Sequence, residues 1–366
     1  MPLGQAIPDQ YPQLLDVKIS KCRAEFEKHK FGDLEIFPSI TANFRMRAEF
    51  KIWHDGDRCD YAMYVPGEYK KPKVIQSFTI GSPTICELMP KLLAELNEDP
   101  LLRKKLFQVE FLSTTTGEIL TTLIYHRPIT NEWLELARPL AKRLNSKLIG
   151  RSRKQKIILD DDCVTEQFTL ENGVYSYRQY ETGFTQPNAS VCVKMLDWAC
   201  TNSKSFTGDL LELYCGNGNF TIPLAKNFQN VLATELSKLS VRSALENIEL
   251  NHSSNIKLVR LSSEEVTQAL TKQREFRRLK DIDIDSYQFS TVFVDPPRSG
   301  LDDATCELLE RFENIIYISC NPDTLHKNLE QLLLSHDITK AALFDQFPYT
   351  DHRECGVILK KKTVTN

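Results

Sequence analysis

From residue 210 onward the chain repeats one pattern: a short apolar run rich in β-branched residues, a turn, then a stretch with helical periodicity. The runs fall at 210–214, 231–234, 256–260, 291–294 and 315–319, and the helical stretches at 190–201, 219–228, 238–250, 303–311 and 323–334. Strands this uniformly apolar are buried on both faces, which requires helices on either side of a largely parallel sheet. The pattern predicts an α/β, Rossmann-like domain over 176–366, built on a mostly parallel seven-stranded sheet. In such sheets ligands bind beyond the carboxyl ends of the strands, so chemistry is expected from strand-end residues.

The residues upstream follow other periods. Leu14, Leu15, Val17, Ile19, Cys22 and Phe26 have helical spacing within 10–30, and RMRAEFKIW (45–53) alternates charged with apolar side chains ahead of Asp55-Gly56-Asp57. The latter reads as a hairpin with one wet, basic face. Strands near 61–65, 107–113 and 119–125 and helices near 84–97 and 130–145 complete an α+β region over 1–175. The cation-dense KLIGRSRKQK (147–156) runs into three aspartates, and the domain boundary is expected between 157 and 180.

Charge separates the two regions. The net charge is only −3, but residues 40–156 hold 20 Lys and Arg against 13 Asp and Glu, while the remainder holds 26 against 36. A basic region joined to an acidic body is the footprint of a domain that holds a polyanion. No run approaches the ~18 apolar residues of a membrane span, and the opening residues lack the basic-then-apolar order of an export signal. A cytoplasmic protein with free thiols is therefore expected. The ten cysteines form no CxxC pair or Cys/His cluster, which argues against zinc and iron–sulfur centres.

Asp209-Leu-Leu-Glu-Leu-Tyr-Cys-Gly-Asn-Gly-Asn-Phe-Thr begins as a buried strand, breaks at Gly216-x-Gly218 and continues as a helix. Glycine there lets backbone approach a ligand closely. The dinucleotide fingerprint needs a third glycine where Thr221 stands, so a nicotinamide site is disfavoured. Glu235 ends the next strand, where a carboxylate accepts hydrogen bonds from ribose hydroxyls. Together the two point to adenosine, against the alternative of a solvated strand-end acid.

Two later strands end in reactive groups. Asp295 closes Ser290–Asp295 and is followed by two prolines that hold it at the crevice rim. The next residue is Arg298, where amino-methylating enzymes of this fold carry an aromatic; a guanidinium suits a pyrimidine carbonyl or a phosphate better. Cys320 ends the following strand at a junction with a helix N-terminus, which can stabilise a thiolate. Such a thiolate has a use in pyrimidine chemistry: addition to carbon 6 of uracil turns an inert carbon 5 into a nucleophile. The carbon 5 proton must then go to a base. FPYTDHRECG (347–356), in the turn between apolar strands at 341–345 and 355–360, offers Glu354, with His352 and Asp351 as alternatives.

FTQPN (184–188), LLELYCGNGNF (210–220), ATE (233–235), FVDPPRSGL (293–301), YISCNPDT (317–324) and FPYTDHRECG together closely resemble the RNA uracil-5 methyltransferases, the bacterial tRNA members above all. RMRAEFKIWHDGD (45–57) and KLFQVEFL (105–112) extend the resemblance over essentially the whole chain. It implies an S-adenosyl-L-methionine-dependent methyltransferase domain behind an N-terminal RNA-binding domain, methylating the T-loop uridine at tRNA position 54. It further implies Cys320 as nucleophile, Glu354 as proton acceptor, and Gln186, Tyr214, Asn219, Glu235 and Asp295 as cofactor contacts. Gln186 and Tyr214 come from the resemblance alone. The expected partner is the tRNA T-arm, with other RNAs bearing T-arm-like loops as a second class, and the expected state is a monomer. Ribosomal-RNA relatives generally carry an oligonucleotide-binding barrel and a cysteine quartet, neither evident here, so ribosomal-RNA methylation ranks second. A non-catalytic RNA-binding or RNA-folding protein ranks behind it, because Cys320 and Glu354 are both present.

Overall fold

In the computed structural model, which describes residues 3–65 and 67–363, the alternation after residue 45 becomes a hairpin of Arg47–Asp55 and Arg58–Val65, paired from Lys51 with Ala62 to Asp55 with Arg58. Gly56 makes the turn at φ 57°, a conformation most side chains avoid. Ala48, Phe50 and Ile52 are buried while Glu49 between them is exposed. Pleating thus sends one residue set into a core and the other outward.

Around this hairpin the described residues form a seven-stranded sheet. Its order is Glu68–Val74, Arg58–Val65, Arg47–Asp55, Leu106–Ser113, Ile119–Tyr125, Lys147–Ser152, Gln155–Ile158. Helices Pro83–Glu98 and Asn131–Leu144 share a core with it through Ile85, Leu92, Leu96, Trp133, Ala137 and Leu140. The cation-rich segment at 147–156 lies in a strand pair of this sheet. Leu148 and Ile149 are buried, while Lys147, Arg151 and Lys156 find Glu118, Glu181 and Asp162 at 2.8, 2.5 and 2.7 Å. Acids from elsewhere in the fold neutralise what the local sequence presents as a polar tract.

The second sheet carries the strand-end residues. Eight strands run in the order Leu34–Phe37, His336–Phe344, Glu354–Lys361, Asn314–Ser319, Phe289–Val294, Asp209–Leu213, Val231–Thr234, Ile256–Val259. All neighbours pair in parallel except Glu354–Lys361, which is antiparallel to both of its own. The expected number was seven. The eighth is Leu34–Phe37, which adds to the edge in register from Leu34 with Ala341 to Phe37 with Phe344; four residues of mixed polarity give no strand periodicity to read.

Contacts divide the chain into two compact units. One holds Met1–Tyr11, Ile40–Gln167 and Arg178–Ala189; the other holds Pro12–Ser39, Phe168–Tyr177 and Ser190–Asn366. This differs from a single cut at 175/176. Pro12–Ser39 joins the later unit because helix Tyr11–Glu27 buries Cys22 and Phe26 in the core that also contains Leu213, Val294 and Tyr317. The hairpin of Cys163–Leu170 and Gly173–Tyr180 supplies residues to both units. No helix among the described residues is long and apolar enough to cross a membrane, and all ten cysteines are free thiols.

Candidate functional site

Strand Asp209–Leu213 ends in a loop held by three residues in the left-handed region: Tyr214 at φ 60°, Gly216 at 57° and Gly218 at 84°. A side chain added at Gly216 would meet nothing within 4 Å, so this turn presents bare backbone to open space. Glu235, at the end of the neighbouring strand, braces it. Its Oε2 accepts the Gly216 N–H at 3.0 Å, and its Oε1 accepts the N–H groups of Leu236 and Ser237 at 2.7 Å each. Glu235 is therefore built into the loop rather than solvated. Asn219 is fixed nearby: its carbonyl accepts the Tyr177 hydroxyl at 3.0 Å, and its side-chain N–H donates to the Cys192 sulfur at 3.4 Å. Tyr214 brings its backbone to the loop, while its ring packs on the core and burial pushes its hydroxyl up.

One acid escaped the sequence reading. Glu212 is 1% exposed, and burial pushes its carboxyl up to about 8, with the nearby Thr221 hydroxyl opposing and Asp295 adding to the rise. Its Oε2 has no hydrogen-bond partner among the described residues. An unsatisfied buried acceptor carries a desolvation penalty that a ligand donor would relieve. The signal was there to read, a lone acid inside the apolar run Leu-Leu-Glu-Leu.

Asp295, Cys320 and Glu354 are brought together by strand register. Phe289–Val294 and Asn314–Ser319 are parallel neighbours, so Asp295 and Cys320 emerge at the same rim. On the other side the antiparallel register ends with Ser319 opposite Cys355, which carries Glu354 to the level of Cys320. The two flanking loops are tied: the Asn321 side chain donates to the Arg298 carbonyl at 2.9 Å and also caps helix Pro322–Leu332. Glu354 is the first residue of its strand, not a turn residue, and is only 3% exposed.

Crowding of acids in this pocket governs protonation. Burial pushes the Glu354 carboxyl well above the usual carboxylate range, and Asp295 adds to it, while Arg298 opposes. Asp295 keeps a partial opening to solvent as a residue, yet its carboxyl is enclosed by protein and is pushed up to about 7. Cys320 is half-buried. Its thiol moves up, not down as a helix N-terminus alone would have it: desolvation comes first, then Glu354 and Asp295, with Arg298 opposing. Burial, with two neighbouring carboxyls behind it, outweighs one helix end.

The other base candidates differ from Glu354 in burial. His352 and Asp351 are exposed. Gln186 is half-buried in the other unit, in a segment where the Pro187 carbonyl accepts the Met46 N–H at 2.8 Å and the Thr185 hydroxyl is buried without a partner among the described residues.

The sequence matches the family model described as tRNA (uracil-5-)-methyltransferase over residues 10–362. A tRNA/tmRNA (uracil-C(5))-methyltransferase of Saccharophagus degradans is 60% identical over 361 residues, covering 98% of this chain and 99% of the relative. One of the same name from Aromatoleum aromaticum is 51% identical over 362 residues, covering 99% and 98%. Among solved structures, the tRNA (uracil-54, C5)-methyltransferase of Pyrococcus abyssi in complex with S-adenosyl-L-homocysteine superposes with a TM-score of 0.72 at 19% identity, covering 95% of this chain and 83% of that one. At that identity the likeness speaks for an α/β methyltransferase fold.

Proposed function

The chain belongs to the tRNA (uracil-5-)-methyltransferase family, and on that premise we propose that it methylates uridine 54 in the T-loop of tRNA through a covalent adduct between Cys320 and carbon 6 of the base. The activity is S-adenosylmethionine-dependent transfer of a methyl group to carbon 5 of a tRNA uridine. One observation carries the proposed route: a thiol, two carboxyls with raised pKa and a guanidinium meet at one rim of the sheet.

The residues fit the cofactor. Bare backbone at Gly216, the braced carboxylate of Glu235 and the unpaired Oε2 of Glu212 form an acceptor-rich cradle suited to a ribose and an ammonium. Glu235, Asn219 and Asp295 would hold it, with Tyr214 shaping the turn. When bound, S-adenosylmethionine supplies an electrophilic methyl group.

The chain's own groups do the remaining work. The Cys320 thiol loses its proton to solvent, its sulfur attacks carbon 6 as the thiolate, the S–C6 bond forms, and the ring's electrons move to the O4 enolate, to which Arg298 is suited to donate a hydrogen bond. After methylation Glu354 takes the proton from carbon 5. The C5–H electrons become the C5–C6 double bond, and the S–C6 pair returns to sulfur. Glu354 must be ionised for this step, which burial and Asp295 oppose and Arg298 favours.

The basic stretch 40–156 would grip the T-arm phosphates and a flipped uracil would reach Cys320. An exposed Phe107–His126 stack, with Lys51 Nζ 4.1 Å from the Phe107 ring, offers a surface of the kind that unpaired bases stack on. Other RNAs with T-arm-like loops would be accepted on the same terms, and the setting is the cytoplasm. The test uses tRNA transcripts and labelled cofactor: label should enter the native sequence, and a transcript with cytidine in place of uridine 54 should receive none. Undiminished label in that transcript, or label in ribosomal RNA alone, would overturn the assignment.

A pH dependence follows from Asp295. A sulfonium cation beside it favours the ionised carboxyl, and the residue begins at about 7. Cofactor affinity should therefore rise with pH, by up to roughly tenfold per unit below the pKa, and level off above it. S-Adenosylhomocysteine, whose sulfur is uncharged, should show a shallower slope. Equal slopes for the two in a binding titration would remove Asp295 from the sulfonium's neighbourhood.

A further inference from the structure

Glu354 is the group whose aim matters most for releasing product, yet no group among the described residues donates a hydrogen bond to its carboxyl. Its orientation must come from the backbone that carries it. That backbone is gripped on both sides by one helix, Tyr11–Glu27, which belongs to the same unit from Pro12 onward. Lys18, Cys22 and Glu25 lie at positions i, i+4 and i+7 of the helix, hence on one stripe. Lys18 Nζ donates to Asp345 Oδ1 at 2.6 Å and to the Phe347 carbonyl at 2.8 Å. Glu25 accepts both terminal nitrogens of Arg353, at 2.5 and 3.0 Å. The Cys22 sulfur lies 3.8 Å from that of Cys355. The stripe thus fixes the entry of the 345–353 loop, its exit, and the residues immediately before and after Glu354.

The chemistry of the grip is informative. Lys18 and Asp345 have side chains only 5% and 1% exposed. Buried ion pairs add little stability over apolar residues of the same volume, because desolvation offsets their attraction. Leucine would attach the helix as firmly. What a charged pair adds is direction, since it is satisfied in one geometry only.

Resting on the reading of Glu354 as the base, we propose that Lys18 and Glu25 are positioning residues of the reaction, which clamp the loop before Glu354 so that its carboxyl meets the carbon 5 proton of the methylated adduct. A loosened clamp should leave adduct formation and methyl transfer nearly intact and slow the proton abstraction that follows. Displacement of a reacting group by about 1 Å can reduce a rate on the order of 100-fold.

The experiment follows the denaturation-resistant protein–tRNA complex in single turnover for the wild type, Glu25→Gln, and the double variant Lys18→Met/Asp345→Leu. The double variant replaces the ion pair by apolar volume, and its melting temperature is compared with that of the wild type to show that it is folded. Both should form the complex at wild-type rates within about twofold and resolve it about 10- to 100-fold more slowly, with cofactor affinity unchanged. Glu25→Asp, which keeps the carboxylate, should recover part of the resolution rate. Parallel losses in formation and resolution, or resolution at the wild-type rate in folded variants, would overturn the clamp. Glu354→Gln is run alongside. If it resolves the complex normally, the base assignment fails and takes the clamp with it; if it stalls while the clamp variants do not, the clamp alone fails.

Discussion

Cys320→Ala is expected to abolish methylation, with a fall on the order of 10⁴-fold or more, as for removal of the nucleophile in other covalent catalysts. The size follows from the ring. Carbon 5 of an intact uracil gains its electron density only once a nucleophile has added to carbon 6, and no neighbour can substitute for that addition. The other charged groups at the rim, Asp295, Arg298 and Glu354, are two carboxyls and a cation; the carboxyls are poor nucleophiles toward carbon 6 and the cation is none. Cys320→Ser should be almost as inactive, because an alkoxide is far harder to form than a thiolate in a pocket that already pushes the thiol up. Cofactor and tRNA binding should stay within severalfold of wild type, since Cys320 is half-buried at the rim and outside the core. The measurement is initial-rate incorporation of labelled methyl, paired with a denaturing gel for the RNA adduct. Residual activity above about a tenth of wild type would mean that no sulfur–carbon bond lies on the route.

The architecture around that sulfur was legible in sequence to an unequal degree. The five apolar runs became strands within a residue or two, because strands buried on both faces advertise themselves by composition. Leu34–Phe37 and the pair at 147–158 did not: their strand character depends on partners that arrive from elsewhere in the chain. Local sequence cannot carry that information. At the site the same division holds. Glycines, strand-end acids and the cysteine were readable because fixed turns demand them. The reversal at Cys320, and the company of Glu212, Asp295 and Glu354, arise from three-dimensional crowding. Glu235 shows the intermediate case: its place at a strand end was readable, its brace on the Gly216 N–H was not.

That crowding bears directly on Glu354→Gln, which should trap the enzyme on its RNA. Glutamine matches the protonated carboxyl in size and leaves the thiol free to add and the methyl free to transfer. It cannot accept the carbon 5 proton, so elimination stops and a methylated protein–tRNA complex should accumulate, with turnover lower by about 10²- to 10⁴-fold. The fold should not suffer. Burial and Asp295 raise the folded-state pKa of Glu354 above its unfolded value, so the native state loses stability as pH rises from the unfolded pKa through the folded one. Glutamine removes that loss. The variant should melt no lower than wild type in mild acid and higher than wild type near pH 8, opposite to the behaviour of a residue kept for stability. Opposing signs in stability and turnover are what a buried carboxyl held for chemistry predicts. Free methylated tRNA released at the wild-type rate would show that Glu354 is not the proton acceptor, and a lower melting temperature at about pH 8 that it is not destabilised by its site.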